Sequence, residues 1–191
     1  RIGVGAPLKA GLCVCLGPVV LCPARFGNRV HVVATNVCGF YFIPAQPDRS
    51  VDAEPGLARD RTRGPHAGRV YLFYTQKDRH LRTNMDIEVS YSDNNGATWS
   101  APVRVNDDHT VNSQFLPKLS LDPTSGNLSV VWYDARNDLG TGRPGDTNGI
   151  PNDGAQCWGA FSTDGGQSFS TNFQISAGTS NSHDSGNGID Y

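Results

Sequence analysis

The octapeptide Ser92-Asp93-Asn94-Asn95-Gly96-Ala97-Thr98-Trp99 returns downstream as Ser162-Thr163-Asp164-Gly165-Gly166-Gln167-Ser168-Phe169. Each copy carries a hydroxyl first, Asn or Asp third, Gly fifth, a hydroxyl seventh and an aromatic ring last. That order specifies a hairpin turn that bonds to itself. Asn or Asp accepts hydrogen bonds from turn amides and tolerates unusual φ, while Gly takes positive φ without a Cβ clash. The hydroxyls satisfy further backbone groups, and the ring seals the turn against its own sheet.

The flanking sequence repeats as well, and a repeat outranks any single motif in deciding a fold. Residues 55–107 and 117–177 run in parallel. Each opens with a short segment ending in Asp, Leu57-Ala58-Arg59-Asp60 and Leu119-Ser120-Leu121-Asp122, followed by a turn containing Gly68 or Gly126. Next come Val70-Tyr71-Leu72-Phe73-Tyr74 and Leu128-Ser129-Val130-Val131-Trp132, runs that fit a pleated surface and are too short for a typical helix. After a variable loop, Ile87, Val89 and Tyr91 alternate with Glu88 and Ser90; Cys157, Gly159 and Phe161 hold the equivalent places. The octapeptide turn then leads to a last strand, with Val103 and Val105 matching Phe173 and Ile175. The expected strands are 57–60, 70–74, 86–91 and 101–105, then 119–122, 128–133, 156–162 and 172–176. Four antiparallel strands joined in order and repeated describe a propeller blade, which needs neighbours to bury its faces. A sandwich built from the same hairpins has the same strand spacing and stays open as the alternative.

Composition agrees with an all-β reading. Among 191 residues, 22 Gly and 12 Pro punctuate short apolar runs. Hydrophobic residues at 37% argue against disorder, and a net charge of -2 gives no electrostatic reason to expect nucleic acid. The apolar run from Leu12 to Cys22 is broken by Gly17-Pro18, and a membrane-spanning helix needs about 20 residues. Two short strands about a Gly-Pro turn are expected there instead. Cys13, Cys15, Cys22, Cys38 and Cys157 match no metal spacing; local disulfides among the first four and buried free thiols both remain open.

The two octapeptides resemble the Asp box, S-x-D-x-G-x-T-W, of the sialidase (bacterial neuraminidase repeat) superfamily. The second keeps Ser162, Asp164 and Gly166, with Ser168 for Thr and Phe169 for Trp. The first keeps Ser92, Gly96, Thr98 and Trp99, with Asn94 in the Asp position. Glu54-Pro55-Gly56-Leu57, Gly64-Pro65-His66, Phe115-Leu116-Pro117 and Trp132-Tyr133-Asp134-Ala135-Arg136-Asn137-Asp138 share the texture of secreted microbial sialidase-like proteins. The resemblance covers the chain from Asp52 onward. It implies a sialidase-type β-propeller: residues 1–50 a degenerate partial blade, 55–107 and 117–177 one Asp-box blade each, and 178–191 the start of the next. Arg29 to Ala34 and Phe40 to Ile43 are expected strands of the partial blade. Sialidases of this kind have six blades, so the chain is expected to be a fragment of a secreted or extracellular protein.

The resemblance further implies an exo-acting glycoside hydrolase that removes terminal sialic acid from glycoconjugates. The alternative is a non-catalytic extracellular Asp-box propeller that binds glycans or proteins. Asp boxes are structural in this superfamily, and the active site lies at the opposite end of the blades. It combines three arginines gripping the substrate carboxylate with a Tyr nucleophile, its Glu partner and an Asp acid/base. Guanidinium forks suit the first task, and a Tyr nucleophile departs from the usual pair of carboxylates. No Arg-Ile-Pro segment precedes the repeats, and catalytic residues are not assigned. Loops at that end offer Arg82 and Arg136 as anion-binding arginines, with Asp134, Glu54, Gln114, Asp190 and Tyr191 as further substrate-binding candidates. For Arg136 a pairing with Asp134 or Asp138 that pins its own loop competes with that role. No cofactor is required. Asp138, Asp146, Asn148 and Asp153 supply hard oxygen ligands among glycines and are candidate calcium ligands, although a solvated acidic loop has the same composition.

Overall fold

The computed structural model describes residues 2–5, 14–16, 19–21, 29–33, 41–43, 45–77, 84–138 and 154–181. Among them every regular element is a strand, and every pairing is antiparallel. The strands β1 (Ile2–Gly5), β2 (Val14–Leu16), β3 (Val19–Leu21), β4 (Arg29–Val33), β5 (Tyr41–Ile43) and β6 (Gln46–Val51) form three two-stranded pairs. They join β1 to β4, β2 to β3 and β5 to β6. The β2–β3 pair is the hairpin expected around Gly17-Pro18.

Two larger sheets follow. The first is a meander of β7 (Gly56–Arg59), β8 (Val70–Lys77), β9 (Met85–Ser92) and β10 (Val103–Arg104), paired in chain order. The second repeats that order in β11 (Gln114–Leu121), β12 (Leu128–Asp134), β13 (Gly154–Ser162) and β14 (Phe173–Gln174). A fifth strand, β15 (Ser180–Asn181), adds to Gly154 and Ala155 of β13. These open antiparallel sheets make an all-β fold of a kind that sandwiches and propellers share.

The last strands are shorter than the expected 101–105 and 172–176. Pairing nevertheless continues past both: the Val105 amide donates to the Ile87 carbonyl, and the Ile175 amide to the Cys157 carbonyl. By contrast β11 begins ahead of the expected 119. Pro117 sits inside it because a bulge between Phe115 and Lys118 takes the proline out of the ladder.

The two meanders pack face to face. Tyr71, Phe73, Ile87, Val89 and Val105 of the first unit share one core with Leu128, Val130, Trp132 and Ala160 of the second. Full burial of such side chains stabilises by roughly 1.5–3 kcal/mol each. The other face of the first meander is covered too: Leu72 and Tyr74 are buried with Ala53 and Trp99 against them. Residues 71–75 of β8 are therefore buried without a break, whereas β12 alternates buried and exposed positions along its whole length. The first sheet is sandwiched, and the second has one open face.

Candidate functional site

The two octapeptide turns lie at one end of the meanders, where β9 meets β10 and β13 meets β14. In the first, the Gly96 amide donates to Ser92 Oγ at 2.8 Å, Ser92 Oγ donates to Asn94 Oδ1 at 3.0 Å, and the Thr98 amide donates to the same oxygen at 2.8 Å. The second repeats this with Gly166, Ser162, Asp164 and Ser168 at 2.9, 2.8 and 3.0 Å. The hydroxyl at the seventh position settles the Asn/Asp exchange. Ser168 Oγ donates to Asp164 Oδ2, while Thr98 Oγ1 accepts from Asn94 Nδ2. Burial pushes the Asp164 carboxyl upward, but donors from Ser168, Ser162 and Gln167 outweigh it and hold the group down at about 2. The Trp99 and Phe169 rings are half-buried, and Trp99 Nε1 donates to the Gly96 carbonyl. The bonds that define each turn are internal to it, while the Asp93 carboxylate and the Gly165 carbonyl accept from Arg69 and the Asn95 side chain accepts from Arg59.

The opposite end is reached by the β12–β13 loop and by the link from β10 to β11, and a buried polar network joins them. Asp134, fully buried, accepts from Trp132 Nε1 at 2.7 Å, from Gln114 Nε2 at 3.0 Å and from Arg136 Nε at 2.9 Å. Arg136 is 10% exposed. It reaches Asp107 Oδ1 and Asn172 Oδ1, each at 2.8 Å, and lies 4.1 Å over the Trp158 ring. Burial opposes the Arg136 charge, but the bonds to Asp134 and Asp107 outweigh it and raise the pKa. Asp107 is held below the usual range: its partial burial is outweighed by the Asn172 amide and by Arg136. Asn106 ties the network to the first meander. Its Oδ1 accepts from the Ile87 amide, and its Nδ2 approaches Asp86, Asp108 and Gln114 at 2.8, 2.8 and 2.9 Å. Arg104 neutralises part of the charge, with contacts of 3.0 Å to Asp86 and 3.3 Å to Asp108.

Arg136, Asp134 and Gln114, three of the substrate-binding candidates, thus meet in one cluster. As placed, Arg136 is engaged in the pairing with Asp134, and a substrate carboxylate would have to displace Asp107 or Asn172 to reach it. Glu54 stands apart from these bonds, 3.9 Å from the Lys118 ammonium, both partly exposed. Its backbone has φ 40, and Leu116 has φ 54. Both residues precede a proline, Pro55 and Pro117, at matching places in the repeat. The left-handed region is disfavoured for such residues. Because an apolar Leu bears the same conformation, the strain belongs to the repeat and not to chemistry at Glu54. Arg82, Asp190 and Tyr191 lie outside the described residues, as do Asp146, Asn148 and Asp153. Asp138 accepts the Gly154 amide at 2.7 Å, which closes the base of the long loop. Among the described residues no group of three or more His, Cys, Asp or Glu side chains is arranged to hold a metal. Cys157 is a half-buried free thiol; Cys13, Cys22 and Cys38, and the side chain of Cys15, lie outside the described part.

Asn106, Asn172, Trp158, Asp86 and Arg104 are among the members of this network that sequence reading did not single out. Asn106 and Asn172 sit beside short strands, where pattern gives no reason to separate a buried amide from a loop amide. One further ionisable group stands out on β9. Glu88 lies between its cross-strand partners Tyr74 and Arg104, yet Arg104 turns to Asp86 and Asp108, and Glu88 Oε2 is buried without a partner. Burial first, and the neighbouring Asp86 charge second, push its carboxyl up to about 7. Burial likewise drives the Tyr74 phenol well above its ordinary value, so it is no activated nucleophile.

No family model matches this sequence, and no curated protein matches it either. Among solved structures, a protein of unknown function from Dyadobacter fermentans is similar over 58% of the chain, with 23% identity and a TM-score of 0.41. The intramolecular trans-sialidase of Ruminococcus gnavus, solved with oseltamivir carboxylate, is similar over 66%, with 19% identity and a TM-score of 0.45. The matched region spans 25% of the first protein and 20% of the second.

Proposed function

We propose that the two meanders are Asp-box blades of a sialidase-type β-propeller, acting in a secreted, exo-acting hydrolase of terminal sialic acid. One observation carries this reading: two octapeptide turns with the same internal hydrogen bonds stand at matching places in two stacked four-stranded units. Two such units do not close a ring, since propellers have four to eight blades. The turns act as structural ties, and the glycan is met at the opposite end by the β12–β13 loop and the neighbouring links. Arg82 is the remaining clamp candidate, and a calcium ion in the long loop would use Asp138 among its ligands.

The second reading, a non-catalytic extracellular propeller that binds glycans or proteins, is favoured by the state of Arg136. An arginine saturated by Asp134, Asp107 and Asn172 does not serve as a carboxylate clamp. Clamp and nucleophile act together in positioning and charge stabilisation, so the 191-residue chain is expected to show no turnover. Release of a fluorogenic aglycone from a sialic-acid glycoside tests this. Turnover by this chain that Arg136→Ala abolishes without unfolding would place a working site in these loops and contradict the assignment of Arg136 as structural.

A further inference from the structure

The loop from β7 to β8 lies at the same end of the sheets as the octapeptide turns. With its flanks it reads Arg59-Asp60-Arg61-Thr62-Arg63-Gly64-Pro65-His66-Ala67-Gly68-Arg69, which places four of the chain's 16 basic residues together in a protein of net charge -2. Exposure alternates along its first half: Arg59, Arg61 and Arg63 are exposed, Asp60 is buried, and Thr62 and Gly64 are half-buried. The inward residues fix that alternation. Asp60 Oδ1 accepts the Thr62 amide at 2.7 Å, Thr62 Oγ1 accepts the Gly64 amide at 3.1 Å, and the Asp60 carbonyl accepts the Gly68 amide at 2.9 Å. The loop is also seated on the second meander, where Gly126 leaves room for the Asp60 carboxylate and Gly165 for the His66 ring. Its three outward arginines are therefore held in place before any partner arrives, and binding costs little in ordering.

Among the described residues, none of the three is paired with a carboxylate. Arg59 donates to the neutral Asn95 Oδ1 at 3.2 Å. The acids of this end are engaged elsewhere: Asp60 faces inward, Asp93 is held by Arg69, and Asp122 binds its own turn through Thr124 and Ser125. Four residues of chain span at most about 14 Å, so three like charges stand close together, and an anion relieves their repulsion. Guanidinium forks suit oxyanions, and clustered basic residues in a short segment are a known footprint of polyanion binding. Single-stranded nucleic acid also needs aromatic rings on which to stack its bases. The exposed rings among the described residues, Phe42, Tyr133, Phe161 and Phe173, belong to other strands. A sulfated polysaccharide has no bases to stack and carries several anionic groups per pair of sugars, a density that a chain with one carboxylate per pair does not reach.

We propose that Arg59, Arg61 and Arg63 form an anchoring site for a sulfated polysaccharide, at the end of the sheets away from the buried Arg136 network. The site makes no use of the sialic-acid reading and holds whether or not the protein is a glycosidase. Isothermal titration of the 191-residue chain with a heparin oligosaccharide at physiological ionic strength reads it, with a hyaluronan oligosaccharide and single-stranded oligothymidylate as the other arms. The expected result is heparin binding whose affinity falls with salt at a log–log slope of roughly −2 to −3, as three charge contacts require. Arg61→Ser with Arg63→Ser is expected to weaken it at least about tenfold, circular dichroism remaining unchanged, and heparin is expected to shift backbone amides in residues 59–69. Arg61→Gln alone, expected to weaken binding by a smaller factor, serves if the double variant unfolds. No heparin binding, heparin binding indifferent to a folded variant, or hyaluronan or oligothymidylate bound as tightly as heparin would each overturn the proposal.

Discussion

Arg69 donates from Nη1 to the main-chain carbonyl of Gly165 across 2.8 Å, so a side chain of the first meander grips the octapeptide turn of the second. The same guanidinium holds Asp93, in the octapeptide of its own meander, with Nε at 2.7 Å and Nη2 at 2.8 Å, and lies 3.9 Å over the Tyr91 ring. Arg136 plays the corresponding part at the other end, on the Trp158 ring. Each end of the paired sheets is thus pinned by one buried, ring-stacked arginine.

Arg69→Ala is expected to lower stability by about 1–3 kcal/mol, chiefly because it leaves the Gly165 carbonyl without its donor, the exposed Asp93 carboxylate turning back to water. Arg69→Lys should recover little of this, because an ammonium reproduces neither the fork nor the stacking. Urea unfolding monitored by tryptophan fluorescence measures both. A Lys variant as stable as the parent would show that charge alone matters.

Arg136→Ala is expected to cost about 3–5 kcal/mol, because it strands the fully buried Asp134 as an uncompensated charge. The double variant Arg136→Ala with Asp134→Asn should be more stable than Arg136→Ala alone, the stranded charge having gone with the carboxylate. Equal stability of the two in the same urea titration would contradict the network.

At the turns, Asp164→Ala should cost about 1–2 kcal/mol through its lost hydrogen bonds, and Asp164→Asn much less, since Asn94 already serves the first turn. The Asp164 pKa is depressed, so its contribution is present above the unfolded value of 3.8 and fades as pH falls toward about 2. That acid-side slope should vanish in Asp164→Asn. Trp99→Ala, removing a half-buried ring packed near Leu72 and Tyr74, is expected to cost about 2–3 kcal/mol. Thermal melts at several pH values separate these effects.

Glu88 behaves in the opposite sense. Its folded pKa of about 7 lies above the ordinary 4.5, so between those values the unfolded chain binds fewer protons and stability falls as pH rises. The deficit is complete above pH 7. Glu88→Gln should therefore stabilise by about 1–3 kcal/mol at pH 8 and be nearly neutral at pH 4. A Gln variant with an unchanged pH profile would show that the carboxyl ionises freely in the fold.

Much of this fold was legible in the sequence because its units repeat. The eight expected strands of the two meanders all occur, since alternation and the octapeptide turns fix register locally. The early start of β11 is not legible in the pattern: Pro117 reads as a breaker unless the positive φ at Leu116 is known. The added strand β15 was equally hidden, because Ser180 and Asn181 carry no strand signature and pair by proximity to β13. Charge and loop position mark Asp134, Gln114 and Arg136, but sequence alone does not say whether an arginine faces solvent or is saturated by its neighbours. That distinction is tertiary. It rests on Asp107 and Asn172, which lie far from Arg136 in the chain.

The central claim is that the octapeptide turns are scaffold and that recognition belongs to the opposite end. Titrating sialyllactose, with lactose as control, into the isotope-labelled chain and following backbone amide shifts tests it most directly. The predicted result is sialic-acid-dependent shifts in residues 78–84, 105–114 and 135–157, with none in residues 92–99 or 162–169. Shifts centred on the two turns, or identical responses to both sugars, would contradict it.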